Sequence, residues 1–211
     1  IVGKAPLAGD ADRKAAEYVL SIGGTVRVYV NDQVKEIKAA AELPKEALRL
    51  QHINIMTNPK VTDADLEIFK DCLSLSEIYL GHNQVSDAGV SHFKNCKNVT
   101  LIHLSATQIS DASLVQFKGL ENVTHLYLAE TKVTDSGLAH LTGNTNLIYL
   151  NLAHTQVSNA GLAHFKGCKN LIGLVLSGTA VSDAGLAHFE GCKNLREVIL
   201  DNTQVGDAGL T

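Results

Sequence analysis

"LIYLNLAHTQVSNAGLAHFKGCKN", residues 147–170, reads as two short elements joined into one unit. Tyr149, Leu150, Asn151 and Leu152 alternate polar with apolar, the period of a strand buried on one face. The stretch "VSNAGLAHFKG" reads as a short helix with its own boundary signals. Ser158 suits the N-cap, and Asn159 stands where the helix dipole favours an acceptor. Val157 and Leu162 have the spacing of a hydrophobic staple. Gly167 is expected in the left-handed conformation that ends a helix, with Cys168 as the apolar residue after it.

The same plan returns along most of the chain. Units begin at Leu75, Val99, Val123, Leu147, Leu171 and Leu195, each 24 residues after the last, and a unit one residue longer begins at Leu50. Each follows L-x-x-L-x-L-x-x-T/N-x-V-S/T-D-A-G-L-x-x-F-x-G-C-x-N. One strand and one helix per unit, stacked, predict an α/β solenoid with a concave parallel sheet and short convex helices. The motif set resembles the leucine-rich repeat family. More narrowly, the Cys before "KNL" and the "TD-x-GL" helix start are similar to the cysteine-containing repeats of F-box-type proteins and to the Thr-rich 24-residue arrays of planctomycete-like bacteria. The resemblance covers residues 50–211, seven units with the last incomplete. It implies a horseshoe fold and a binding role without naming a ligand.

Ahead of the array, "DADRKAAEYVLSIGG" has a helical pattern ended by Gly23 and Gly24, and "TVRVYVNDQVKEI" reads as a hairpin turning at Asn31 and Asp32. Residues 1–49 are therefore expected to form an N-terminal cap over the first unit's core edge. A similar helix and hairpin precedes the repeats in many of the bacterial arrays, some attached to kinase domains. That resemblance makes the binding domain of a larger signalling protein a further possibility. "VGDAGLT" stops inside a unit, which suggests a truncated or missing tail, or a surface for self-association in a structural array.

With 45% hydrophobic residues among 211, a sizeable core is expected. A net charge of −4 and no run of Lys or Arg argue against nucleic acid as partner. No apolar stretch approaches the length needed to span a bilayer. Cys72, Cys96, Cys168 and Cys192 share a slot that Leu120 also fills, so buried free thiols are favoured over a disulfide or metal site, which points to a reducing, cytoplasmic compartment. His92, His140, His164 and His188 share a slot between core Leu and core Phe and are expected on the convex surface. Metal binding or pH sensing there is the competing reading.

Units differ where strand alternation turns side chains into the concavity. The candidate partner-binding residues are Glu77, Tyr79, Leu101, His103, His125, Tyr127, Glu130, Tyr149, Asn151, His154, Val175 and Ile199. Tyr mixed with His, Asn and Glu suits recognition of a protein or peptide, and the competing reading is neutral drift on a solvated sheet. Alanine at Tyr79, Tyr127 and Tyr149 is expected to leave stability nearly unchanged. A catalytic reading would use His103, His125, Glu130 and His154 as a metal or acid–base cluster, but no H-E-x-x-H, G-x-S-x-G or P-loop sequence supports it. The sequence thus predicts a binding module without catalysis or cofactor.

Overall fold

The computed structural model describes residues 10–210, so residues 1–9 of the expected cap and Thr211 lie outside the described residues. Helix α1 (Asp10–Ser21) packs Ala15, Ala16 and Val19 into the core. Its end is closed by Gly24 N–H donating to Val19 O (2.9 Å), with Gly23 left-handed at φ 83°. Strands β1 (Thr25–Val30) and β2 (Gln33–Ile37) form the hairpin, and Asn31 and Asp32 both take positive φ as a two-residue turn of this kind requires.

The repeats contribute β3 (Arg49–Asn54), β4 (Glu77–Tyr79), β5 (Leu101–His103), β6 (His125–Tyr127), β7 (Tyr149–Asn151), β8 (Gly173–Val175) and β9 (Glu197–Ile199). All nine strands form one sheet in the order β2-β1-β3-β4-β5-β6-β7-β8-β9. From β3 onward the strands are parallel, with His52 opposite Glu77, Leu101, His125, Tyr149, Gly173 and Glu197 in turn. The hairpin enters the sheet through β1, antiparallel to β3 with a bulge between Arg27 and Val28. The architecture is the expected α/β solenoid with a parallel sheet and short helices.

One core runs through every unit. Leu147, Leu150, Leu152, Val157, Leu162 and Phe165 are at most 1% exposed, as are their counterparts Leu75, Leu80, Val85 and Val90 in an earlier unit. The cysteine slot is buried and unbridged throughout. Three thiols reach back one unit, Cys192 donating to Cys168 O (3.2 Å), Cys168 to Asn144 O (3.3 Å) and Cys96 to Cys72 O (3.6 Å), while Cys72 donates within its own unit to Ile68 O (3.9 Å). Burial pushes the Cys96 thiol up to about 12 and the Cys168 thiol to about 11.

Four helices begin as expected, capped by Ser86, Ser110, Thr134 and Ser158, with Ser158 Oγ accepting from Ala160 N–H at 3.3 Å, whereas Ser182 makes no side-chain bond to its own helix. The residue after the cap does more than the sequence indicated. From the first turn of its own helix, Asp135 also accepts from the next unit, from Ser158 N–H (2.8 Å) and Ser158 Oγ (2.5 Å). Asp63 to Ser86, Asp87 to Ser110 and Asp111 to Thr134 repeat the pair. A glycine of the following unit, Gly89 over Asp63, Gly137 over Asp111 and Gly161 over Asp135, lets the next turn close over this carboxylate, and Ser113 takes that place over Asp87 and donates to it. A Cβ on Gly161 would lie inside contact distance of Asp135 Oδ1, and one on Gly137 would strike Asp111.

Gly167 is not left-handed, contrary to expectation, because Lys166 before it keeps helical angles (φ −54°, ψ −19°). Both turn forms close the same bond, Cys168 N–H to Phe165 O (2.8 Å) here and Leu120 N–H to Phe117 O (3.2 Å) elsewhere. Positive φ appears only where the preceding residue has swung extended, at Gly119 (76°) and Gly143 (103°).

Candidate functional site

The outward residues of β3 to β9 form rows across the sheet, and their rings meet. His52 packs on Tyr79 (centroids 4.9 Å apart), Tyr79 on His103 (6.0 Å), His103 on Tyr127 (4.9 Å) and Tyr127 on Tyr149 (5.1 Å). The last three pairs lie within 18–29° of parallel, the offset stacking that aromatic quadrupoles favour. The ladder spans five units and is half-buried. Burial holds the phenols of Tyr79, Tyr127 and Tyr149 above their ordinary range and the His103 imidazole below its own, so the stack is uncharged at neutral pH.

Small residues seat the rings. Tyr149 lies over Gly173, and the His103 ring lies over Gly81, where an added Cβ would be 2.6 Å from Nδ1. His103 Nδ1 and Ser105 Oγ are buried without hydrogen-bond partners. At the N-terminal end of the ladder, Arg27 pairs with Glu77, and His52 Nδ1 lies 3.1 Å from Glu77 Oε2 and 3.0 Å from Arg27 Nη2. Burial lowers the His52 imidazole, although its bond to Glu77 opposes this. At the other end Ala129, Ala153 and Val175 form an apolar cluster apart from the main core, with Tyr149 and Ile199 against it.

All twelve candidate residues except Glu130 and His154 stand on these strands. Those two occupy the eighth position of their units, which is left-handed in every repeat: Thr57, His82, Ala106, Glu130, His154, Gly178 and Asn202 have φ of 53–68°. The turn keeps the ladder running, since Glu130 N–H donates to Ala153 O (2.8 Å) and His154 N–H to Ser177 O (2.7 Å). His, Asn and Gly at that position were the available signal for a left-handed residue. Leu101, His125 and Asn151 are half-buried on the face, whereas Val175 is buried among its neighbours.

The structure does not gather His103, His125, Glu130 and His154. His103 sits in the ring stack, His125 Nδ1 is 2.9 Å from Thr124 Oγ1, and the other two project from separate turns. Among the described residues no group of three or more His, Cys, Asp or Glu is arranged to hold a metal. On the opposite face His92, His140, His164 and His188 are half-buried rather than fully solvated, and His164 Nδ1 lies 2.9 Å from Thr142 Oγ1 of the preceding unit.

Residues 74–133 match the leucine rich repeat family model, and residues 115–208 match the BspA type leucine rich repeat region. The repeats of this chain are leucine-rich repeats. No curated protein matches the chain. Among solved structures, the leucine-rich-repeat fold is shared with internalin C2 of Listeria monocytogenes (20% identity, TM-score 0.59, covering 96% of this chain and 88% of that one). It is also shared with internalin InlF of the same organism (22%, TM-score 0.54), of which 63% of this chain covers 36%, about a third of that protein's length. A third is the functional domain of Listeria InlJ, described as including a cysteine ladder (16%, TM-score 0.55, covering 72% of this chain and 30% of that one).

Proposed function

We propose that the protein is a non-enzymatic protein- or peptide-binding module that uses the concave face of its leucine-rich repeats. The observation that carries this reading is the ring ladder from His52 to Tyr149, continued by the apolar cluster at Val175 and Ile199. Preorganised, uncharged aromatic surface offers contact area at little entropic cost. The thiol-to-carbonyl bonds of the cysteine slot support the narrower cysteine-containing 24-residue type, and four buried free thiols support a reducing, cytoplasmic setting.

The test compares captured proteins on immobilised wild type, a concave variant (Tyr127→Ala with Tyr149→Ala) and a convex variant (His140→Ala with His188→Ala), after circular dichroism shows each folded. Capture is expected to be lost only with the concave variant. Equal capture by all three would overturn the reading.

A further inference from the structure

The concave face is electrically lopsided. In the three outward rows of the sheet, represented by His52, Asn54 and Met56 in the first repeat, the one Lys or Arg is Arg27, and Glu77 neutralises it. Toward the other end, exposed Glu130, Glu197 and Asp201 border the apolar cluster, and among the described residues none of them forms an ion pair. Burial raises the Tyr127 and Tyr149 phenols, and the nearby Glu197 carboxylate adds to the rise in both. The faces of those two rings attract cations through their quadrupoles, in the same direction as the carboxylates.

Resting on the concave-face reading, we infer that its C-terminal half takes an extended peptide segment with apolar side chains flanked by two Lys or Arg residues. The charge left uncompensated is negative, so complementarity requires a cationic partner. The apolar floor of Ala129, Ala153, Val175 and Ile199 requires an apolar centre. Spacing sets the length. Glu130 belongs to the β6 unit and Asp201 to the β9 unit, at adjacent positions of the repeat and three strand intervals apart, or about 14 Å at ordinary strand spacing. An extended chain covers that distance in about four residues. The cations therefore bracket a three-residue apolar centre that lies across the strands.

The probe is the blocked pentapeptide Lys-Ile-Ala-Leu-Lys, titrated into the full chain at low salt and followed by NMR of the Tyr, Val and Ile side chains. Shifts are expected at Tyr149, Val175 and Ile199, with roughly tenfold weaker binding to the triple variant Glu130→Gln, Glu197→Gln, Asp201→Asn. A similar loss is expected for wild type at high salt. Two control peptides, Glu-Ile-Ala-Leu-Glu and Lys-Ser-Ala-Ser-Lys, are expected to bind at least tenfold more weakly. Equal binding of the acidic peptide at these residues would overturn the inference and leave the concave-face reading standing. Shifts confined to other surfaces, or no shifts at all, would also overturn the inference. Failure of the broader reading shows separately, as capture indifferent to Tyr127 and Tyr149.

Discussion

The turns that lead into the helices and the concave sheet solve the same problem, joining one unit to the next, in opposite ways. At the turns the same residue type makes the same contact at one repeat position, as in Asp63 to Ser86 and Asp135 to Ser158. On the sheet the ring ladder changes position: His52 and Tyr149 stand at the third residue of their units, and Tyr79, His103 and Tyr127 at the fifth. A carboxylate accepting from a backbone N–H needs strict translation from unit to unit. A ring can reach diagonally to a neighbour about 5–6 Å away, so the ladder survives when each unit carries a different residue. The turn side therefore admits only residues that keep the contact, as Asn159 does by accepting from Ser182 N–H (2.9 Å), and the sheet side is free to vary.

The largest effect that would break this contrast is expected at Gly161. An alanine there pushes a Cβ into Asp135 Oδ1, and urea denaturation is expected to show a loss of about 1–3 kcal/mol. Gly161→Ser should cost less, because Ser113 fills the same slot two units earlier and donates to Asp87. An alanine variant as stable as wild type would show that the turns have slack.

Next in size is Tyr127→Ala, which removes two stacked contacts, with His103 and Tyr149. A loss of about 1–3 kcal/mol is expected in the same measurement. The ladder geometry thus predicts a cost where the sequence suggested that the tyrosines are energetically silent. No change on Tyr127→Ala would restore that expectation.

The smallest effect is a pH dependence. Burial pushes the Asp87 carboxyl up, but donation from Ser110 and Ser113 outweighs this and holds it below the usual carboxylate range. A carboxyl lowered by folding contributes stability above its unfolded value, near pH 4, and that contribution is lost as pH falls through the lower folded value. Removing one donor with Ser113→Gly should raise the Asp87 carboxyl and move the acid-unfolding midpoint upward, with a loss of about 1 kcal/mol at neutral pH. An unchanged midpoint would mean that Ser110 alone sets the titration.

Much of the fold was legible in the residues. Leu150, Phe165 and Cys168 were readable as core from their recurrence, and Asn31 and Asp32 as a hairpin turn from their tolerance of positive φ. The candidate face was legible as a set of rows, since alternation decides which side a strand residue takes. Its internal contacts were not. Nothing in the order of residues says that Tyr149 leans toward Tyr127 and covers Gly173, or that Arg27 reaches across β3 to Glu77. The left-handed eighth position was half-legible, through His82, His154, Gly178 and Asn202, but Glu130 and Ala106 hid it.

By itself, then, the sequence determined the repeating unit, its buried slots and its outward rows, because these depend on periodicities of two and about four residues within one segment. The tertiary structure alone decided the unit-to-unit contacts: the carboxylate that caps the next turn, the glycine that yields to it, and the ladder that crosses rows. Those depend on distances between residues 22 to 27 positions apart in the chain, which only stacking brings together.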